Sequence, residues 1–197
     1  MCEESRKSMR EIIPAILPKS TDDLKEKVLT LPQEITFFHF DVLEEDIWTE
    51  IDKEFEVHLM VKEPEKIIEK WVKRGAKRII AHELTHELIT ELNKFEGRIE
   101  VGLEIEMQEF LDKEFEQVPL ANFIHIMSID EIGEQGHPFN PQVFDRIREV
   151  RKQFRNLEIS VDGGISIENY KELFDAGANR LIVGSHFTEL WNSLMKK

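Results

Sequence analysis

Sulfur chemistry is nearly absent from this chain. Its one cysteine, Cys2, excludes an intrachain disulfide and fits a reducing compartment. Bases are scarce beside acids, 26 Lys and Arg against 40 Asp and Glu, and the formal charge of −14 would repel the phosphates of nucleic acid. The surplus acids are spread through the chain and read as a solvated helical surface; Glu3-Glu4, Glu44-Glu45-Asp46 and residues 112–116 are the densest runs. No apolar run approaches the ~18 residues of a membrane span. Residues 1–10 are charged and carry no hydrophobic leader segment, so a cytosolic, cytoplasmic protein is expected, with no membrane partner. No low-complexity stretch or linker divides the sequence, and there is no solenoid-type repeat.

What is present is alternation. With 197 residues and 41% hydrophobic composition the chain has material for one sizeable core, and a single domain over residues 1–197 is expected, with residues 1–10 frayed. Short apolar runs alternate with helical patterns. Ile12 to Leu17 is followed by Ser20-Thr21-Asp22, a capping sequence for a helix over 22–29. The run around His39 leads to a short helical candidate over 44–53. The run around His58 leads to 64–74, with Pro64 in the first turn and Gly75 closing it. Runs at 78–82, 100–105, 122–128, 157–162 and 180–183 are followed by helices near 85–95, 108–114, 141–154, 166–175 (closed by Gly177) and 187–196. Eight strand–helix units imply a parallel sheet with helices outside, and closure into an α/β (β/α)8 TIM barrel is expected over an open doubly wound sheet. At this length the connections must be short, above all in the second unit.

Chemistry collects at the strand ends. In Phe37-Phe38-His39-Phe40-Asp41-Val42 the period of two puts His39 and Asp41 on one face and Phe38, Phe40 and Val42 on the other. Phe55 to Met60 repeats the design around His58, and Val161-Asp162-Gly163-Gly164 ends in an acid and two glycines. The active face of such a barrel lies at the C-terminal ends of its strands. Those ends carry His39, Asp41, His58, His82, Glu104, Met127, Ser128, Asp162 and Gly184-Ser185, and no lysine, which disfavours Schiff-base aldolase chemistry. His82 and His125 read as hydrogen-bonded core histidines, because neither has a second ligand-type residue two positions away. Gly163-Gly164 and Gly184-Ser185, on adjacent final strands, form a candidate phosphate cup.

These residues also carry a family likeness. Ile13-Pro14-Ala15-Ile16-Leu17, His39-Phe40-Asp41-Val42, Val57-His58-Leu59-Met60-Val61, Met127-Ser128, Val161-Asp162-Gly163-Gly164 and Val183-Gly184-Ser185 stand in the order of the ribulose-phosphate 3-epimerase family, which the chain resembles from about Ile12 to Phe187. The resemblance implies a ribulose-phosphate-binding barrel. It further implies that His39, Asp41, His58 and Asp162 hold one divalent metal ion (Zn, Fe, Mn or Co) and that Asp41 and Asp162 are the catalytic acid/base pair. Met60, Met127, Gly133, Gly136, Gly163, Gly164, Gly184 and Ser185 would then bind the phosphate and substrate. The implied activity is metal-dependent epimerisation of ribulose 5-phosphate and xylulose 5-phosphate, with a small-molecule sugar phosphate as partner and a homo-oligomer left open. The alternatives are an epimerase of a related sugar phosphate such as allulose 6-phosphate, and a degenerate barrel that binds a phosphorylated metabolite without turnover. The chain departs from the family pattern at Ala15, where serine is usual. It departs again at Leu43-Glu44-Glu45, where a Met-Asp-Gly turn and a covering loop are usual, and in the loop from Ile129 to Phe139. Decarboxylase and synthase relatives of the fold place a lysine at the position of Leu43.

Overall fold

A computed structural model describes residues 10–108, 115–130, 133 and 136–196. Eight parallel strands close on themselves in sequence order: β1 (Glu11–Ile16), β2 (Phe37–Val42), β3 (Glu54–Leu59), β4 (Arg78–Ala81), β5 (Glu100–Ile105), β6 (Phe123–Met127), β7 (Glu158–Asp162) and β8 (Arg180–Val183). The helices are α1 (Thr21–Thr30), α2 (Ile68–Lys73), α3 (His86–Asn93), α4 (Val143–Gln153), α5 (Tyr170–Ala176) and α6 (Phe187–Met195). The expected (β/α)8 barrel is therefore the fold. Among the described residues no helix is long and apolar enough to cross a membrane.

Local chemistry sets the helix ends. The Ser20 side chain accepts from the Asp23 backbone amide at 3.1 Å, with Asp22 and Asp23 in the positive first turn of α1, and Thr85 caps α3 in the same way through Leu88. Pro64 opens a 3-10 turn, Pro64–Lys66, so the expected helix over 64–74 is split, with α2 following as a separate short helix. Gly75 and Gly177 take φ of +102° and +123°, which glycine adopts without a Cβ clash, and each stops its helix. Most of the helix expected near 108–114 lies outside the described residues.

The helix expected over 44–53 does not form. Eleven residues must return from the end of β2 to the start of β3, a path at least as long as a six-residue strand, ~20 Å. Ten helical residues would advance only ~15 Å and leave nothing for the two turns. The segment instead runs without helix or strand, bent at 44–45 and 52–53, and is held by its side chains. Trp48 stacks on Phe40 and meets Trp71 edge-on at 5.6 Å, Arg74 lies over both indoles, and its guanidinium bonds the Asp46 carboxyl at 2.6 and 3.2 Å.

Alternation along the strands makes two interiors. Outward residues such as Phe38, Phe40, Val57, Leu59, Leu103, Ile124 and Val161 join the helices in one core outside the sheet. Inside the barrel Ile13, Ile80, Phe123 and Ile182 are buried apart from that core. Gly102 belongs to this inner space, since a Cβ there would lie 2.5 Å from the Phe123 ring. Below them Arg78 and Arg180 close the N-terminal end, Arg78 bonding Glu100 at 3.1 Å and Arg180 lying 3.8 Å from Glu11. The inward positions near the other end are polar, and these form the site.

Candidate active site

Strand register brings the polar residues together. His39 pairs in register with Glu56, Asp41 with His58, Glu104 with His125 and Met127 with Asp162. All of these face inward. The His39 ring puts Nδ1 2.9 Å from Glu56 Oε1 and Nε2 3.2 Å from Asp41 Oδ1 and 3.7 Å from Asp162 Oδ2. His58 Nε2 bonds Glu104 Oε2 at 2.5 Å, while its Nδ1 lies 3.6 Å from Asp41 Oδ1. Thus both histidines of the expected quartet turn one nitrogen toward Asp41 and spend the other on a buried glutamate. His39, Asp41, His58 and Asp162 occupy one cluster.

The remaining expected residues surround a cleft directly above. Met60, Met127, Gly133, Gly136, Gly163, Gly164, Gly184 and Ser185 line it together with Asp41, His58 and Asp162. His39 lies beneath and is buried. Side chains tie down the β7 turn: Ser128 Oγ donates within reach of the carbonyls of Asp162 (2.8 Å) and Gly163 (2.6 Å), and Asn169 Nδ2 donates to the Gly164 carbonyl at 3.0 Å. Gly164 has φ +60°, and a Cβ there would strike the Phe139 backbone at 2.7 Å. In the altered loop after β6, Asp130 is engaged by the Asn140 side chain at 2.7 Å. Glu131 and Glu134 lie outside the described residues.

With that geometry in place, comparison with known proteins decides the relationship. Residues 11–188 match the ribulose-phosphate 3 epimerase family. The chain belongs to that family. It is similar to the ribulose-phosphate 3-epimerase of Schizosaccharomyces pombe, 30% identical over 140 residues that cover 70% of this chain and 61% of that protein. Against the Eremothecium gossypii enzyme the identity is 31% over 133 residues, covering 66% and 55%. Against the Buchnera aphidicola (Schizaphis graminum) enzyme it is 36% over 95 residues, covering 45% and 40%. These matches span less than two thirds of the relatives' own length. Among solved structures, a mutant tryptophan synthase alpha-subunit from Pyrococcus furiosus superposes with TM-score 0.66 at 12% identity, covering 91% of this chain and 88% of that one. The aldolase QR15 gives TM-score 0.64 at 14% identity, covering 99% and 97%. Both likenesses concern the fold alone.

At three residues of this family member's site sequence reasoning falls short: Glu56 is not singled out, Glu104 is placed at a strand end without a role, and His125 is given a different one. Glu56 and Glu104 orient the two histidines, and His125, expected to be a hydrogen-bonded core residue, is instead part of the cluster. Its Nε2 lies 3.5 Å from Asp162 Oδ2, and its ring stacks on His39 at 5.4 Å. The available signal was periodicity, because His125 stands two residues before Met127 just as Glu56 stands two before His58. His82 also departs from the expectation, sitting half exposed at the mouth with Nδ1 3.5 Å from Glu106.

Charge is held strongly here. Burial alone would neutralise these groups, yet partners of opposite sign reverse its effect. Burial works against ionised Asp41, and the hydrogen bond with His39 together with the nearby His58 imidazole nevertheless holds it below the usual carboxyl range. Glu56, likewise opposed by burial, is brought to about 2 by His39 and Arg78. His39 is raised well above an ordinary imidazole by Asp41 and Glu56 against its burial, and His58 is pushed up to about 10, chiefly by Glu104. Burial lowers His125, and the Asp162 carboxyl 3.5 Å from its Nε2 only partly offsets this.

The donor set suits a divalent ion. His58 Nδ1 has no hydrogen-bond partner although fully buried, and one ligand atom from each of His39, His58, His125 and Asp162 falls within 4.8 Å of the others. Imidazole and carboxyl ligands with carboxyl groups behind the imidazoles are the usual composition of such a site.

Proposed function

We propose that this protein is a metal-dependent epimerase of a ketose phosphate, interconverting ribulose 5-phosphate and xylulose 5-phosphate at C3. The observation that carries the reading is the placement of two carboxyl groups, Asp41 on β2 and Asp162 on β7, against the same His39 nitrogen at 3.2 and 3.7 Å, both lining the cleft. Inversion at carbon needs one group to take a proton and a second to return one from another direction, and two separately anchored carboxyls meet that need. Asp41 rests ionised, the state a proton acceptor needs, and lines the cleft where it can take the C3 proton. Asp162 would protonate the other face. His39, His58 and the two aspartates would hold a divalent ion, which would supply Lewis-acid stabilisation of the charge that develops on the substrate oxygens. Glu56 and Glu104 keep the two imidazoles oriented, each by a hydrogen bond to the ring nitrogen turned away from the cleft. The backbone around Gly163, Gly164, Gly184 and Ser185, at the last two strand ends, would take the phosphate through its amides. A sulfate soak tests this, and an anion settling elsewhere would count against the cup.

A groove of about 900 Å³ beside the short β2–β3 connection shares Leu17, Asp41, Met60 and Gly133 with the cleft. It favours, as a second reading, a ketose phosphate longer by one carbon, such as allulose 6-phosphate. The deciding experiment is metal analysis of the purified protein coupled to turnover of both substrates, with C3 proton exchange followed by NMR. Protein loaded with each of Zn, Fe, Mn and Co that neither epimerises nor exchanges the C3 proton would overturn the epimerase reading and leave a binding barrel.

A further inference from the structure

Most of the cluster is accounted for by the epimerase reading, but His125 is not. It lies on the inner face of β6, fully buried, and neither ring nitrogen has a hydrogen-bond partner. An imidazole stripped of water on both nitrogens forfeits interactions that folding ordinarily replaces, so two orphaned nitrogens call for a ligand. The surroundings say which kind. His39 and His58 lie with ring centroids 5.4 and 5.0 Å from that of His125, and Asp162 Oδ2 is 3.5 Å from its Nε2. Both neighbouring histidines use their far nitrogen on a glutamate, Glu56 or Glu104, and turn the near one inward. Three imidazole nitrogens and one carboxyl oxygen thus converge within 4.8 Å, close to the span of opposite ligands around an ion with bonds of ~2.1 Å.

We propose that His125 is itself a ligand of the divalent ion through Nε2, so that the coordination sphere of this chain holds three imidazoles, from His39, His58 and His125, beside Asp162 and Asp41. The inference rests on the metal reading of the site and adds to it. A sphere with three nitrogen donors prefers ions that favour imidazole, such as Co2+ and Zn2+, over Mn2+, which favours oxygen. Ser160, the register neighbour of His125 on β7, has a buried hydroxyl that is also unpartnered, so the rival account is a water molecule bridging the two side chains.

Co2+ is the probe. Wild-type protein is titrated with Co2+ alone, and the proton NMR spectrum of the loaded protein is searched for hyperfine-shifted, exchangeable imidazole N–H resonances. Ligation by three histidines gives three such resonances, whereas a water-bridged His125 gives two. This count needs no variant, so it survives a misfolded mutant. In His125→Leu one resonance should vanish, the d–d absorption should change in position and intensity, and Co2+ affinity should fall at least ~10-fold, with a smaller loss for Mn2+. Two resonances in the wild type, or Co2+ spectra and affinity unchanged in a folded His125→Leu, would overturn the inference while leaving the metal site standing. Failure of the wild-type protein to bind Co2+ at all would instead overturn the metal reading together with this one.

Discussion

Replacing Glu56 by glutamine removes one charge and almost no volume from the centre of the barrel. Glu56 is 0% exposed and sits between His39 Nδ1, at 2.9 Å from one oxygen, and Arg78 Nη1, at 3.1 Å from the other. Its carboxyl titrates at about 2 in place of 4.5, so the folded protein favours the ionised form by on the order of 3 kcal/mol. Glutamine offers one acceptor oxygen where the carboxylate offers two, so its NH2 group either faces the Arg78 guanidinium or requires His39 to give up its charge and accept at Nδ1. Breaking a buried pair from one side typically costs ~3–5 kcal/mol, which agrees with the first figure. Urea unfolding of the metal-free variant at pH 7 should therefore show a loss of ~3 kcal/mol or more. The sign with pH follows from the depressed value. The contribution of Glu56 is present above pH 4.5 and disappears as pH falls through about 2, so the gap between wild type and Glu56→Gln should shrink across that window. Metal affinity should drop ~10–100-fold as His39 loses its anchor. A variant within ~1 kcal/mol of wild type at pH 7, or a gap that is the same at pH 7 and pH 3, would refute the reasoning.

Further outcomes follow from the same geometry. Asp41→Asn and Asp162→Asn should each lower epimerase turnover by at least ~100-fold, with metal content measured on both variants to separate proton transfer from ion loss. His58, raised to about 10 in the metal-free protein, adds stability that is present below pH 6.5 and is lost as pH rises through about 10. Binding of the ion must expel that proton, so metal affinity should climb with pH over the same window and binding in weak buffer should acidify the solution; pH-independent binding would contradict it. Gly102→Ala should destabilise the fold by ~1–3 kcal/mol, because its Cβ would meet the Phe123 ring at 2.5 Å, and thermal unfolding will read this. Trp48→Ala, at a partly buried position, should cost ~1–3 kcal/mol if the β2–β3 connection is pinned by the Trp48–Trp71–Arg74 stack, and a negligible loss would show that the connection is held otherwise.

The division of labour between sequence and tertiary structure is visible residue by residue. Alternation of short apolar runs with capped amphipathic segments is a local property, so the eight strands, Ser20 as a cap, and Gly75 and Gly177 as stops were all legible before any fold was drawn. The pairing of His39 with Asp41 on one face was legible for the same reason, since a period of two is intrinsic to a strand. The 44–53 segment was not: its residues tolerate a helix, and what forbids one is the distance back to β3, which exists only once the barrel has closed. Glu56 and His125 were invisible as site residues, and Glu104, visible at its strand end, had no assigned role, for a related reason. Whether an inward polar side chain meets solvent, a core or a ligand depends on the register across β3, β5 and β6. Closure sets that register by bringing each strand to the spacing of a hydrogen-bonded ladder, ~4.8 Å, from the next, and β8 back to β1.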